Sequence, residues 1–175
     1  MAALAHFGVG LAAKRIAPTV PLALLIAGAL AIDLLFGVFF ALGLEKMPAS
    51  GAISPYSHSL FMAVVWSLFA GAIAWQVRKD RRLAAFFAAL VFSHWVLDFI
   101  SQPMTHQYPG SVGPPLFFEG SPTVGLGLYR TALGQNLCEY GCLAAGIALY
   151  VLALRKLRRE KQAASASAAT AAKQA

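Results

Sequence analysis

Charged residues are scarce in this chain of 175 residues. Asp, Glu, Lys and Arg make up 12% of it, whereas 59% of its residues are hydrophobic. Soluble globular domains carry about 25% charged residues. The composition therefore excludes an ordinary soluble domain and favours a polytopic membrane protein, with one compact domain over residues 1–161.

Four long apolar runs contain most of the hydrophobic residues. A helix needs about 20 apolar residues to cross a bilayer core. The runs 21–44, 57–77, 83–102 and 131–154 meet this requirement. They predict an all-α bundle of four transmembrane helices. Residues 162–175 are mostly Ala, Ser and Thr, which cannot bury a core, so we expect a disordered cytoplasmic tail.

Acidic residues are half as frequent as basic ones, 7 against 14, and the formal net charge is +7. Such a charge can indicate a nucleic-acid partner, but the basic residues cluster at the ends of apolar runs. With four spans, residues 14–15, 78–82 and 155–161 fall on one side of the membrane. This pattern predicts a protein of the bacterial inner (plasma) membrane with both termini in the cytoplasm and no nucleic-acid partner.

No cleavable signal peptide is expected either, because Lys14 and Arg15 follow the first short apolar stretch instead of preceding it. The first full span is expected to act as an uncleaved anchor. Only two cysteines occur, and they are four residues apart on one predicted helix. Cys138 and Cys142 can pack side by side more readily than they can reach disulfide geometry. A soft-metal role is the alternative.

The first 17 residues are too short to cross a membrane, and Pro18 and Pro21 separate them from the first span. Gly8 and Gly10 imitate a dinucleotide fingerprint, but no strand precedes them. Small residues that permit close helix packing are the better interpretation. We expect a short N-terminal helix. If it re-enters the bundle, His6 reaches mid-membrane depth, since protein can bury such a segment.

Ionisable residues lie inside the predicted spans. Such groups are costly in hydrocarbon and normally face the bundle interior or a wet cavity. At about 1.5 Å of rise per residue, Asp33, His94 and Asp98 lie at similar depths, and Glu139 reaches that depth from the outer side. His94 and Asp98 also share a helical face, being four residues apart. The four groups are predicted to share one layer, although a structural hydrogen bond explains the His94–Asp98 pair equally well.

His58 begins the second span at its outer end. It joins the layer only if the helix mouth is sunk into a cavity, and is otherwise a hydrated interfacial residue. His106 and Glu119 lie in the long outer loop of residues 103–123, which is rich in proline and glycine, and both are predicted to be solvated. A lid is one possible use of this loop. Glu45 is predicted to be a boundary charge without a role.

Imidazole and carboxylate groups are ligands of zinc, manganese and iron. Three to five of them with one position left to water give the open site that hydrolysis requires. A divalent metal, with zinc and manganese favoured, would lower the pKa of bound water and polarise the scissile bond. Glu139 or Asp98 is the candidate to accept the proton.

The order of the polar motifs resembles a known family. His6 lies in A-H-F-x-x-G-L-A, Asp33 in the first span, and Y-S-H-S-L and S-H-W-V-L-D-F follow at 56–60 and 93–99. This pattern resembles bacterial inner-membrane proteins called membrane-bound metal-dependent hydrolases, the YdjM-like group. G-S-P-T-V-G-L-G-L-Y at 120–129, followed by an acidic residue, is similar to a subgroup of it.

The resemblance covers most of the chain and implies the metal ligands. They would be His6, Asp33, His58, His94 and Asp98, with Glu139 as a further candidate. The subgroup continues the third span into a T-H-R-P-D-like stretch, which this chain replaces with S-Q-P-M-T-H at 101–106. An acidic ligand directly after that span is therefore not expected here.

The predicted function is a metal-dependent hydrolase of phosphoester or lipid-derived substrates, with membrane lipid as its surroundings. One alternative is a transport protein that uses Asp33, His94 and Asp98 as a proton or metal relay. Four spans without repeats are few for such a carrier. The other alternative is a non-catalytic scaffold whose polar residues join helices, and it predicts dispersed polar positions.

Overall fold

A computed structural model describes residues 3–45, 54–102, 113–118 and 120–174. These residues are helical apart from turns, loops and one isolated β-bridge between Pro115 and Thr123. His106 and Glu119 lie outside the described residues. The α-helices are α1 (Ala3–Ala12), α2 (Leu22–Ala29), α3 (Ala31–Ala41), α4 (Pro55–His58), α5 (Leu60–Arg78), α6 (Arg81–Ser101), α7 (Ala132–Asn136) and α8 (Cys142–Gln174). A π-helical turn, Leu137–Gly141, joins α7 to α8.

Three helical stretches are long and apolar enough to cross a membrane. They are α5, α6 and the continuous stretch Ala132–Thr170. The predicted first span is not one straight helix, since α2 and α3 meet at an angle of 66°. Leu30 has non-helical backbone angles at this break, φ −98° and ψ 7°. Four spans therefore stay a prediction, which holds only if the bent pair crosses as one.

The predicted second span is also divided. Ser59 is extended, with φ −66° and ψ 151°, and separates α4 from α5. Its hydroxyl accepts a hydrogen bond from the Met62 N–H at 3.2 Å, which caps the new helix. The break turns the short helix α4 independently of α5. His58, the last residue of α4, therefore takes a direction that a continuous helix would not give it.

A tight hairpin joins α5 to α6. Lys79 has a left-handed conformation, φ 53°, directly after α5. The Asp80 carboxylate then caps α6 by accepting hydrogen bonds from the N–H groups of Arg82 and Leu83. The two helices pack along their length, and a Cβ at Gly71 would lie 3.0 Å from the Ala84 carbonyl oxygen. This hairpin is the rigid frame behind the polar residues.

The N-terminal helix α1 lies in contact with α8, α2 and α6. Gly8 and Gly146 allow the backbones of α1 and α8 to touch, because a Cβ at either position would overlap a carbonyl of the other helix. Gly10 faces Ile26 of α2 in the same way. The small-residue motif thus acts in helix packing. A re-entrant position for α1 in the membrane stays a prediction.

The C-terminal segment differs from its prediction. Composition predicts disorder from residue 162, whereas α8 continues as a helix to Gln174. Alanine is the strongest helix former, and here it extends a helix that is already nucleated. Residues 161–170 are exposed, so this extension adds nothing to the core.

Candidate metal centre

Helix α6 supplies two residues of the polar cluster. His94 and Asp98 lie one turn apart on its buried face, and they are 0% and 5% exposed. The Nε2 atom of His94 is 3.6 Å from Asp98 Oδ2. The predicted pairing of these residues on one face is therefore present, but at a distance longer than a hydrogen bond.

The break between α2 and α3 brings Asp33 into the cluster and orients His94. It frees the carbonyl of Ala29, which accepts a hydrogen bond of 2.9 Å from Nδ1–H of His94. Nε2 of a neutral His94 then carries a lone pair instead of a proton. This Nε2 lies 3.6 Å from Oδ1 of Asp33, in the first turn of α3. The same break thus presents Asp33 to His94.

The short helix α4 supplies His58. Its Nε2 lies 3.3 Å from Asp33 Oδ1 and 3.7 Å from Asp98 Oδ2. The predicted condition, that the mouth of the second span is sunk into the bundle, is met, since the His58 side chain is only 13% exposed. His58 therefore joins the layer formed by Asp33, His94 and Asp98.

These four residues form a ring in which imidazole nitrogens and carboxylate oxygens alternate. Its four sides measure 3.3, 3.6, 3.6 and 3.7 Å. Around a tetrahedral Zn²⁺ with bonds of about 2.0–2.2 Å, neighbouring ligand atoms lie roughly 3.3–3.6 Å apart. Three of the four sides lie within this range and the fourth, 3.7 Å, lies just above it, so the sides are close to the spacing of adjacent ligands on one small divalent ion.

His6 lies behind this ring. It is 1% exposed, and its ring stacks on that of His94 with centroids 3.7 Å apart. Its Nε2 is 3.1 Å from the His94 carbonyl, which can only accept a hydrogen bond, and 3.8 Å from Asp98 Oδ1. Burial, and then the neighbouring His94, lower the pKa of His6. A neutral imidazole is the form that binds metals.

Two groups of side chains in this cluster could hold a metal ion. They are His6, His94 and Asp98, all buried, and Asp33, His58 and His94. The ligand atoms within each group lie within 4.8 Å of one another. The predicted ligand residues therefore converge, and the groups share His94.

Several buried atoms of the cluster lack a hydrogen-bond partner among the described residues. They are His6 Nδ1, His94 Nε2 and Asp98 Oδ1, and Trp95 Nε1 is the other such atom. Each unsatisfied buried polar atom costs about 1–3 kcal/mol. Moreover, a nitrogen lone pair that faces a carboxylate is repelled unless a cation lies between them. The site is thus arranged for a cation, either a metal ion or an added proton.

Glu45 has a role that the sequence did not predict. It is 4% exposed, and its carboxylate accepts hydrogen bonds from the N–H groups of Tyr56 and Ser57 and from the Ser57 hydroxyl, the last at 2.7 Å. Because Ser57 gives its proton to Glu45, Nδ1–H of His58 donates to Ser57 Oγ at 2.7 Å. In a neutral His58 this chain leaves the lone pair on Nε2, which faces the aspartates and lies within hydrogen-bond distance of Asp33 Oδ1 at 3.3 Å.

We expect Glu45→Gln to weaken metal binding without abolishing it, because the amide cannot keep all three hydrogen bonds and so disorients His58. Changes in groups that orient a ligand typically cost about 10 to 100-fold in metal affinity. Competition with a chromophoric chelator measures this loss. Glu160→Gln, on an exposed side chain of α8, is the matched control and should leave affinity unchanged. Equal affinities in the two variants would contradict the orienting role.

Glu139 belongs to neither group of potential ligands. Its Oε2 accepts hydrogen bonds from the N–H groups of Leu4 and Ala5 at 2.9 and 3.1 Å, and its Oε1 accepts one from the Tyr129 hydroxyl at 2.7 Å. The π-helical turn directs it to the N-terminus of α1, where a carboxylate is favoured. Burial, and then the bond to Glu139, raise the pKa of Tyr129. Glu139 thus anchors the helix that carries His6.

The cluster has one accessible edge. The side chains of Asp33 and His58 are 21% and 13% exposed, whereas those of His6, His94 and Asp98 are at most 6% exposed. Comparison with known proteins adds no relative: the chain matches no family model, no curated protein and no solved structure. Membership of the YdjM-like group therefore stays a prediction.

Proposed function

We propose that this protein is a membrane-embedded, metal-dependent hydrolase whose divalent ion, zinc or manganese, is bound by Asp33, His58, His94 and Asp98. The observation that carries the proposal is the alternating ring, in which two imidazole nitrogens each face two carboxylate oxygens at 3.3–3.7 Å. Mixed nitrogen and oxygen ligands suit these metals. The YdjM-like resemblance agrees with it.

The arrangement supports catalysis because the ring is closed on one side and accessible on the other. A divalent ion held there would polarise a scissile bond and lower the pKa of bound water. Asp98 Oδ1, buried beside His6, has no hydrogen-bond partner among the described residues, while Oδ2 faces the two imidazoles. Of the two predicted proton acceptors, Asp98 lies at the site and Glu139 does not.

Apolar surroundings favour a lipid-derived or phosphoester substrate that reaches the site from the bilayer. The Phe36 ring contacts His58 edge-on, with centroids 5.8 Å apart. Leu34, next to Asp33, is 56% exposed and therefore faces the surroundings of the bundle. The accessible edge is thus bordered by hydrocarbon side chains. The basic clusters at the other end of the bundle support a position of this edge in the periplasmic half of an inner-membrane protein.

The two rival functions fit the packing less well. A relay needs polar groups along a path to both sides. Instead, a buried apolar cluster fills the bundle between the ring and its basic end, with Ala13, Ala17, Val20, Leu25, Ala29 and Leu90 as members. A scaffold predicts dispersed polar residues, whereas five converge here. Hydrolysis at a single buried site is therefore preferred.

The test is a panel of phosphoester and phospholipid substrates with purified protein, added Zn²⁺ or Mn²⁺ and a chelator control. Wild type should show metal-dependent turnover. Asp98→Asn should lower it by about 10² to 10⁴-fold, the usual contribution of acid–base catalysis. Metal content, measured in parallel, separates loss of the acceptor from loss of the ion. Absence of cleavage by metal-loaded wild type, together with metal-ion uptake in proteoliposomes, would decide for transport.

A further inference from the structure

An apolar groove lies at the basic end of the bundle, away from the polar ring. It encloses about 350 Å³ between the start of α2, the last turns of α5 and the first turns of α6. Val20, Leu24, Ile73 and Phe87 contribute to its walls, and Arg78 is the one charged residue among those that line it. The groove is therefore a hydrocarbon slot with a cation at its rim.

A second cation contacts the part of the wall that precedes α2. The ammonium group of Lys14 donates a hydrogen bond of 2.6 Å to the carbonyl of Val20, which lines the groove. The carboxylate of Asp80, which lies at this end, is engaged as the cap of α6. Arg81 lies over the Trp75 ring, 5.6 Å from its centroid. The rim thus carries net positive charge above an apolar interior.

We propose that this groove binds an anionic phospholipid, with one acyl chain between α2 and α5 and the phosphate between Arg78 and Lys14. Two properties of the groove favour an anionic phospholipid. Its apolar walls exclude a polar molecule, and the cations at its rim attract an anion. Basic pockets between transmembrane helices on the cytoplasmic side bind anionic headgroups. From Ala70 to Val77 the wall extends roughly 10 Å along α5, which accommodates a segment of an acyl chain.

The lipid site is independent of the proposed metal chemistry. None of the four ring residues lines the groove, and Leu25 and Leu90 belong to a buried apolar cluster that also contains Ala29, the residue whose carbonyl accepts the hydrogen bond from His94. Loss of bound lipid should therefore leave metal content unchanged. Retained metal also shows that a groove variant has folded.

Native mass spectrometry of purified protein with equal amounts of phosphatidylglycerol and phosphatidylcholine tests the proposal. Wild type should retain phosphatidylglycerol preferentially. Arg78→Ala should lower this preference about fivefold, since one cation near a lipid surface contributes about that factor. Ala74→Phe, which fills the groove but keeps its cations, should abolish the preference for phosphatidylglycerol. Arg158→Ala takes a cation from the exposed part of α8 and is the matched control.

Each contrary outcome overturns a stated part of the proposal. Equal losses in the Arg78 and Arg158 variants would mean nonspecific attraction to charge. Full retention in metal-loaded Ala74→Phe would show that no acyl chain enters the groove. If free glycerol 3-phosphate, at the same concentration as the lipid, displaced phosphatidylglycerol, the site would recognise only the phosphate and not the acyl chain. If wild type retained phosphatidylglycerol and phosphatidylcholine equally, the cations at the rim would have no role in selecting the lipid.

Discussion

Purified His94→Ala is expected to lose nearly all of its bound metal. Its Nε2 is the one nitrogen that both candidate ligand groups share, and it lies 3.6 Å from each aspartate. Asp33→Ala, His58→Ala and Asp98→Ala should also lower metal content. Each removes a ligand, so each loss should exceed the roughly 10 to 100-fold that follows from changes in orienting groups.

Elemental analysis after dialysis against a weak chelator measures this result. Substitution with Co²⁺ adds a spectroscopic test, because the visible absorption bands of cobalt change when a nitrogen ligand is lost. His106→Ala is the imidazole control, since the sequence places His106 in the outer loop, beyond the described residues. If all variants kept the same metal content, the ring would be a network of protonated histidines and the metal site would be refuted.

The pairing of His94 with Asp98 could be predicted from the sequence because it depends only on the helical period. The rise per residue likewise predicts that Asp33 lies level with His94 and Asp98, and the three side chains do come together. Depth did not suffice for Glu139. The same rise per residue predicts mid-depth for Glu139, but the π-helical turn rotates it toward α1. Rotation about a helix axis depends on local irregularities that composition does not reveal.

The break at Leu30 could not be predicted, because no proline marks it. What compensates for it is a tertiary contact: the Ala29 carbonyl is satisfied by His94, which is 65 residues away in sequence. The role of Glu45 in orienting His58 is not predictable from the sequence for the same kind of reason. Its partners lie at the start of α4, and no local sequence pattern predicts that Glu45 contacts them. Groups that orient ligands are visible only after the chain has folded.

The position of α1 links packing to the site. Glu139 holds the N-terminus of this helix, the Gly8–Gly146 contact holds its side, and His6 follows the anchored residues Leu4 and Ala5 directly. His6 then covers the ring of His94. A change that moves α1 should therefore alter the metal site even when it touches no ligand.

Gly8→Ala is expected to disrupt both the packing of α1 on α8 and the metal site. A Cβ at Gly8 would overlap the Cys142 carbonyl and lie 2.9 Å from the Cα of Leu143, both of which are backbone atoms that cannot rotate away. Helix α1 must then shift and withdraw His6 from His94. Overpacking of this kind costs about 1–3 kcal/mol. The expected results are a lowered melting temperature and a metal affinity reduced at least as far as in His6→Ala.

Gly37→Ala is the matched control, because no neighbouring atom of the described residues lies within 4 Å of a Cβ at this helical position of α3. Alanine is better than glycine in a helix by about 1 kcal/mol, so this variant should be as stable as wild type or more stable. If Gly8 acts through the position of His6, the double variant Gly8→Ala/His6→Ala should bind metal no more weakly than the weaker single variant. Additive losses in affinity would instead mean that the α1–α8 contact supports the ring independently of His6. A Gly8→Ala protein with wild-type affinity and melting temperature would show that α1 and α8 do not meet at Gly8.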